Sequence, residues 1–346
     1  MLKYISLFLV ILIISGCTAN QYLPKTNDEK IYLISSSSAY DENVVEKIIQ
    51  KFSQEGFIVN TKYLNQQPTE LGYVNTDQKR AETLVSALSD PDVHYLWFIR
   101  GGAGALNLYP ALMASKEKIK RMPAKIAIGF SDVTAVEYFA QNELKWPSIH
   151  GVLASYNKEV SGEDSIISRN NSILEIPMII KKGVEYSGLE LINNRSRKNI
   201  SGIISGGNLT LIQSLFSTKY EINYQNKILI FEDTGVSYRQ LDRTLHQLLF
   251  KKNFAPHAII FGQFYPEKSA EKDKLLYKKV ITNFAKQASF PVFYYPFFGH
   301  GATNQPFIIG NNADIICSEQ SSFCSIKQKG IKQKNYRKVQ WLRNES

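Results

Sequence analysis

The chain has 346 residues, 44% hydrophobic and 21% charged, with a formal net charge of +10. This is an ordinary globular composition, and the length suits two domains at ~100–200 residues each. The positive charge suggests anionic surroundings or substrates. Much of it falls in Lys327, Lys329, Lys332, Lys334, Arg337, Lys338 and Arg343, a basic tail over 327–346 that reads as solvated.

Met1-Leu2-Lys3 is a short basic start, and the apolar run Leu7 to Ile14 falls short of the ~20 residues of a spanning helix. It fits a secretory signal over 1–16. Ile14-Ser15-Gly16-Cys17 is similar to a bacterial lipobox, which implies a lipid on Cys17 and a membrane anchor through it. Residues 17–29 then form a polar tether. The expected location is the cell envelope, on the outer-membrane or periplasmic side in a Gram-negative cell. Nucleic acid is not an expected partner of an exported chain.

Beyond the tether, Ile31-Tyr32-Leu33-Ile34 reads as a strand and Asp41 to Glu55 as a helix. A strand begins at Gly56, a polar loop covers Tyr73 to Arg80, and Ala81 to Leu88 is helical. Tyr95 to Ile99 and Ile126-Ala127-Ile128 are buried strands that end in small residues. This alternation implies a parallel sheet with helices on both faces, a doubly wound, flavodoxin-like α/β domain over 30–152. Such sheets bind ligands at the carboxyl ends of their strands.

Two of those strand ends attract attention. Arg100-Gly101-Gly102-Ala103-Gly104 follows the first, and Gly129-Phe130-Ser131-Asp132-Val133-Thr134 follows the second, with helical spacing from Val133 to Leu144. A serine lifted on a strand-to-helix turn is how an α/β hydrolase presents its nucleophile. Backbone N–H groups at a glycine turn and a helix start supply the donors an oxyanion needs. The glycine run is no dinucleotide fingerprint, because Asn107 stands where the third glycine should be.

Residues 153–200 read as a connecting region, with an extended strand over Ile173 to Ile180 and a turn at Asn193-Asn194-Arg195. A smaller C-terminal α/β domain is expected over 201–326. Gly206-Gly207-Asn208-Leu209 opens a helix, with Asn208 capping it or facing a cleft. Ile228 to Phe231 is a strand ending at Glu232, Tyr238 to Leu249 is a helix, and Ala258 to Phe261 and Val292 to Tyr295 are strands. His300 follows on a glycine-flanked loop. Cys317 and Cys324 enclose a short polar loop, where a disulfide or two free thiols are both open readings. No Cys-x-x-Cys or His-Glu-x-x-His is present, so no metal site is readable and no cofactor is expected.

A serine nucleophile needs a base, and the base needs a group to fix its tautomer. Of the five histidines, His94, His246 and His257 read as structural, leaving His300 with His150 as its rival. Glu232, Asp233 and Asp132 compete as the acid.

The stretch around Ser131 resembles the LD-carboxypeptidase (muramoyltetrapeptide carboxypeptidase) family, serine peptidases that trim murein tetrapeptides. The residues that carry the resemblance are Arg100-Gly101-Gly102-Ala103-Gly104, Gly129-Phe130-Ser131-Asp132-Val133-Thr134, Gly206-Gly207-Asn208-Leu209, Phe231-Glu232-Asp233 and Phe298-Gly299-His300-Gly301, in that order. A segment with Asp77 and Arg80 is also similar. The resemblance implies a Ser131–His300–Glu232 triad in a cleft between the domains, with backbone donors at Gly101, Gly102 and Asp132. It implies cleavage between the L-centre of meso-diaminopimelate or lysine and a terminal D-alanine. Arg100, His150, Asn208 and Arg239 are candidate substrate contacts, and the candidate assembly is a homodimer. Ala103 replaces the family's usual tyrosine, and Val236 stands where a second glutamate is often found. Two other readings share the fold: a microcin-immunity-like hydrolase of peptidyl- or aminoacyl-adenylate analogues, and a non-catalytic murein-binding lipoprotein.

Overall fold

The computed structural model describes residues 30–331 apart from 162–171, 194, 196–198, 267 and 319. The signal segment, Cys17, the tether, Asn194 of the expected turn, and the tail from Lys332 onward lie outside the described residues. In chain order the first half contains β1 (Lys30–Ile34), α1 (Asn43–Gln54), β2 (Ile58–Tyr63), α2 (Asp77–Ser89), β3 (Tyr95–Phe98), α3 (Tyr109–Lys120), β4 (Ile126–Gly129), α4 (Thr134–Phe139) and β5 (Ser148–His150). The second contains α5 (Glu175–Lys182), β6 (Gly183–Leu191), β7 (Ile200–Asn208), α6 (Leu209–Gln213), β8 (Lys227–Glu232), α7 (Tyr238–Phe250) and β9 (Ala258–Phe261). It ends with α8 (Glu271–Gln287), β10 (Val292–Tyr294), β11 (Phe307–Ile309), β12 (Asn312–Cys317) and β13 (Phe323–Lys329).

The first sheet runs β11-β5-β4-β3-β1-β2, parallel except for β11. Its apolar strands are buried on both faces, which is why they read as continuous hydrophobic runs. The pleat divides them by period two. Tyr32, Ile34, Leu96 and Phe98 face the core that holds α2, α3 and α4, while Ile31, Leu33, Tyr95 and Trp97 face the one that holds α1 and α5. The strand order reverses between β1 and β3, so the loops at Ser35–Ser38 and Arg100–Gly104 open at the switch point.

The second sheet is a closed barrel, β10-β6-β13-β12-β7-β8-β9. Leu189, Ile204, Ile230, Ile260, Phe293, Ile315 and Ile326 fill its interior. Leu229, Phe231, Ile259 and Phe261 point outward to α7 and α8, in the same core that continues through α2, α3 and α4. Sheet and barrel therefore share a hydrophobic layer.

Several expectations are corrected here. The C-terminal domain is more than a small α/β sheet: it closes on itself, because β6 from the segment read as connection pairs with both β10 and β13. The expected strand over 173–180 is the helix α5. Ile176, Ile179 and Ile180 recur at helical spacing and bury one stripe, and a short apolar run does not distinguish the two by itself. The basic tail begins later than 327, since β13 extends to Lys329 and Lys327 pairs with Glu185 of β6 at 2.9 Å. Finally, β11 leaves the C-terminal half and completes the first sheet against β5.

Candidate active site

Ser131 stands directly after β4 at φ +63°, in the left-handed region that costs a non-glycine residue roughly 1–3 kcal/mol. Phe130 before it is fully extended, and a tight turn over Ser131–Val133 feeds α4. The bend leaves Ser131 half-buried while its neighbours are buried.

Gly101 lies against this serine. A Cβ on Gly101 would sit 3.0 Å from Ser131 Cβ and 3.2 Å from Oγ, so the backbone approaches the hydroxyl as only glycine allows. The glycine turn is fastened on two sides. Asp132 Oδ2 accepts the Ala105 N–H at 2.8 Å, and Ser38 Oγ accepts the Ala103 N–H at 3.1 Å. Burial pushes the Asp132 carboxyl up. The buried guanidinium of Arg80 donates to the carbonyls of Ser36 and Asn75 at 2.5 and 3.1 Å, pairs with Asp77, and lies over the Tyr73 ring at 4.6 Å. Arg80 thus ties the loops after β1 and before α2 together at the switch point.

The barrel contributes the other half. Glu232 ends β8, fully buried, and its Oε2 lies 2.6 Å from His300 Nδ1 although the two are 68 residues apart. The His300 ring packs on Phe130 at 4.8 Å between centroids, next to the serine. Burial alone would push the Glu232 carboxyl up. The imidazoles of His300 and His150 outweigh it and hold the group at about 2, an anion at neutral pH.

The rivals separate in space. Asp233 turns away from His300: its oxygens accept Asn208 Nδ2 at 3.1 Å, Thr210 Oγ1 at 2.7 Å and the Thr210 N–H at 2.9 Å. It faces a cavity of 360 Å³ between α6 and α7. Asn208 is buried and caps α6 by accepting the Leu211 N–H at 3.3 Å. Arg100 donates to the Ala39 carbonyl at 2.6 Å, and Arg239 is exposed in the first turn of α7 over the Tyr238 ring. His150, expected along the cleft, is instead fully buried, with Nδ1 2.7 Å from Glu137 Oε2. The barrel approaches it closely at Gly207, φ +123°, where a Cβ would sit 3.2 Å from His150 Cε1 and 2.7 Å from Thr134 Oγ1.

Glu137 is the residue that sequence reasoning passed over. Its signal was a lone carboxylate inside the apolar run Ala135-Val136-Glu137-Tyr138-Phe139, where a charge must find a partner. Cys317 and Cys324 face each other across the β12–β13 hairpin and are disulfide-bonded. Among the described residues no group of three or more His, Cys, Asp or Glu side chains is placed to hold a metal ion, and no helix is long and apolar enough to cross a membrane.

Comparison with known proteins fits this division of labour between a sheet and a barrel. Residues 31–151 match the LD-carboxypeptidase N-terminal domain, and 201–315 match the LD-carboxypeptidase C-terminal domain. The chain is 32% identical over 254 residues to a Rickettsia prowazekii protein carrying a carboxypeptidase name, covering 72% of this chain and 76% of that one. It belongs to the LD-carboxypeptidase family, a family of hydrolases. It is also 26% identical over 294 residues to the murein tetrapeptide carboxypeptidase of Pseudomonas aeruginosa, covering 83% of this chain and 92% of that one. The fold matches the crystal structure of a muramoyltetrapeptide carboxypeptidase from Oxalobacter formigenes with a TM-score of 0.71, at 19% identity over 87% of this chain and 98% of that one. The microcin C7 self-immunity protein MccF, solved with aspartyl sulfamoyl adenosine, shares the fold with a TM-score of 0.66, at 18% identity over 88% of this chain and 97% of that one.

Proposed function

We propose that this chain is a serine LD-carboxypeptidase that removes the terminal D-alanine from murein tetrapeptides. The observation that carries the reading is the strained Ser131 beside Gly101, with the Glu232-paired His300 ring on Phe130. His300 takes the proton from Ser131 Oγ as the hydroxyl attacks the carbonyl carbon of the diamino acid. Glu232 holds the imidazole by Nδ1–H, leaving Nε2 to accept that proton, and stabilises the imidazolium that forms. The backbone N–H groups of Gly101, Gly102 and Asp132 receive the charge developing on the carbonyl oxygen. His300 then protonates the departing D-alanine amine, and water releases the acyl group by the reverse sequence.

Purified protein incubated with murein tetrapeptide should release D-alanine, and Ser131→Ala should abolish release while the chain stays folded. Absence of release by the wild type, with hydrolysis of an aminoacyl-adenylate analogue instead, would favour the MccF-like reading. Silence on both substrates would leave a binding protein. The aromatic segment 293–298 offers a purine little: Phe293, Tyr294, Tyr295 and Phe298 are buried, and Phe297 is 48% exposed.

For location, we propose a lipid anchor on Cys17 that tethers the enzyme in the envelope. Labelled fatty acid should be incorporated by the wild-type chain and not by Cys17→Ser.

A further inference from the structure

Behind the catalytic pair lies a second buried pair. Glu137 Oε2 is 2.7 Å from His150 Nδ1, and on the other side of the ring His150 Nε2 is 3.8 Å from Glu232 Oε1. Both of those last atoms are buried without a hydrogen-bond partner, as is Glu137 Oε1, and 3.8 Å is an ion-pair approach rather than a hydrogen bond. The four side chains make a row, Glu137–His150–Glu232–His300, contributed by α4, β5, β8 and the loop after β10. Glu137, His150 and Glu232 are fully buried.

A buried carboxylate needs partners on both oxygens. Glu232 Oε2 has His300, while Oε1 has His150 Nε2 in front of it. A neutral imidazole donates from one nitrogen only. If Nδ1 alone carried the proton toward Glu137, a bare Nε2 lone pair would face an anionic oxygen. We propose that His150 is a positioning residue for the catalytic acid: it keeps a proton on Nε2 directed at Glu232 Oε1, with Glu137 fixing the ring, so that Oε2 stays aimed at His300.

This inference rests on the reading of Glu232 and His300 as the acid–base pair. The titratable groups around the ring are Glu137 and Glu232, with His300 beyond Glu232. Asp233 is adjacent in the chain but turned toward Asn208 and Thr210. Phe130 stands edge-on to the ring at 6.2 Å. Burial would push the His150 imidazolium down, yet Glu137 and Glu232 outweigh it and raise the group to about 10.

Nitrogen-15 NMR of histidine-labelled full-length protein tests this without any substrate. His150 Nε2 should stay protonated from pH 6 to 9. With murein tetrapeptide, His150→Leu should lower kcat by about 10–100-fold with KM nearly unchanged. His150→Gln, which restores a donor toward Glu232, should recover part of the rate. An unprotonated Nε2 in the wild type would overturn the proposal. So would a folded His150→Leu chain with the wild-type kcat, or one whose lost rate His150→Gln leaves unrecovered, the result a packing role would give. If the wild type releases no D-alanine, the substrate reading fails while the NMR result still decides the role of His150.

Discussion

Thr134 Oγ1 accepts the backbone N–H of Asn208 at 3.0 Å, joining the helix that follows Ser131 to the barrel strand beside Glu232. Both residues are buried, and Asn208 is paired in register with Glu232 across β7 and β8. A second stitch runs about two helix turns further on, where Gln141 donates to the Ile204 carbonyl at 2.8 Å and accepts from Ser205 Oγ at 2.7 Å. These bonds tie the half of the candidate site that carries Ser131 to the half that carries Glu232 and His300.

Thr134→Val keeps the side-chain shape and leaves the Asn208 N–H unpaired in the core. It should destabilise the chain by about 1–3 kcal/mol, read as a lower urea midpoint, and Thr134→Ser should recover most of the loss.

Replacing Ser131 by glycine should separate stability from activity. Glycine adopts φ +63° without strain, though it carries more backbone entropy in the unfolded chain. Ser131→Gly should be about 1 kcal/mol more stable by denaturant titration, while D-alanine release falls about 10⁴-fold or more. A less stable variant would show that the turn holds no strain at this residue.

Gly101→Ala puts a methyl group 3.2 Å from Ser131 Oγ. The serine or the turn must shift, and a displacement of this kind costs about 10²-fold in rate. The expected result is a large fall in kcat with a melting temperature close to that of the wild type.

The buried carboxylate and imidazole also predict how stability follows pH. Glu232 ordinarily titrates at 4.5 and is held at about 2 in the fold. Its contribution is present above pH 4.5 and is lost as pH falls toward 2. His150 ordinarily titrates at 6.5 and is raised to about 10, burial opposing and the two glutamates prevailing. Its contribution is complete below pH 6.5 and is lost as pH rises through 10. Unfolding free energies from urea titrations should therefore decline on both sides of a maximum. The alkaline decline should be shallower in His150→Leu, and equal slopes in the two proteins would exclude His150 as its source.

Many of the residues that meet at the candidate site stand out in the sequence, because tight turns and close backbone approaches constrain it locally. A strand ending in Gly-x-Ser, a glycine turn and a glycine-flanked histidine each need particular residues within a few positions. Long-range features left weaker traces. The β6 strand is only partly buried and carries no continuous apolar run, so its place in a barrel depends on partners more than 100 residues away. The helix α5 was misread because Ile173 to Ile180 is too short and apolar for its period to be clear.

The amino-acid order by itself determined the doubly wound first sheet, since strands buried on both faces must be apolar and their turns must carry glycine. It also determined which hydroxyl, imidazole and carboxylates were available for chemistry. Only the tertiary structure decided among the carboxylates. It pointed Glu232 at His300 and turned Asp233 toward Asn208, and it removed His150 from solvent to stand behind Glu232. The reason is geometric: neighbouring residues at a strand end leave the backbone in different directions, and which direction meets a partner depends on what another part of the chain packs there.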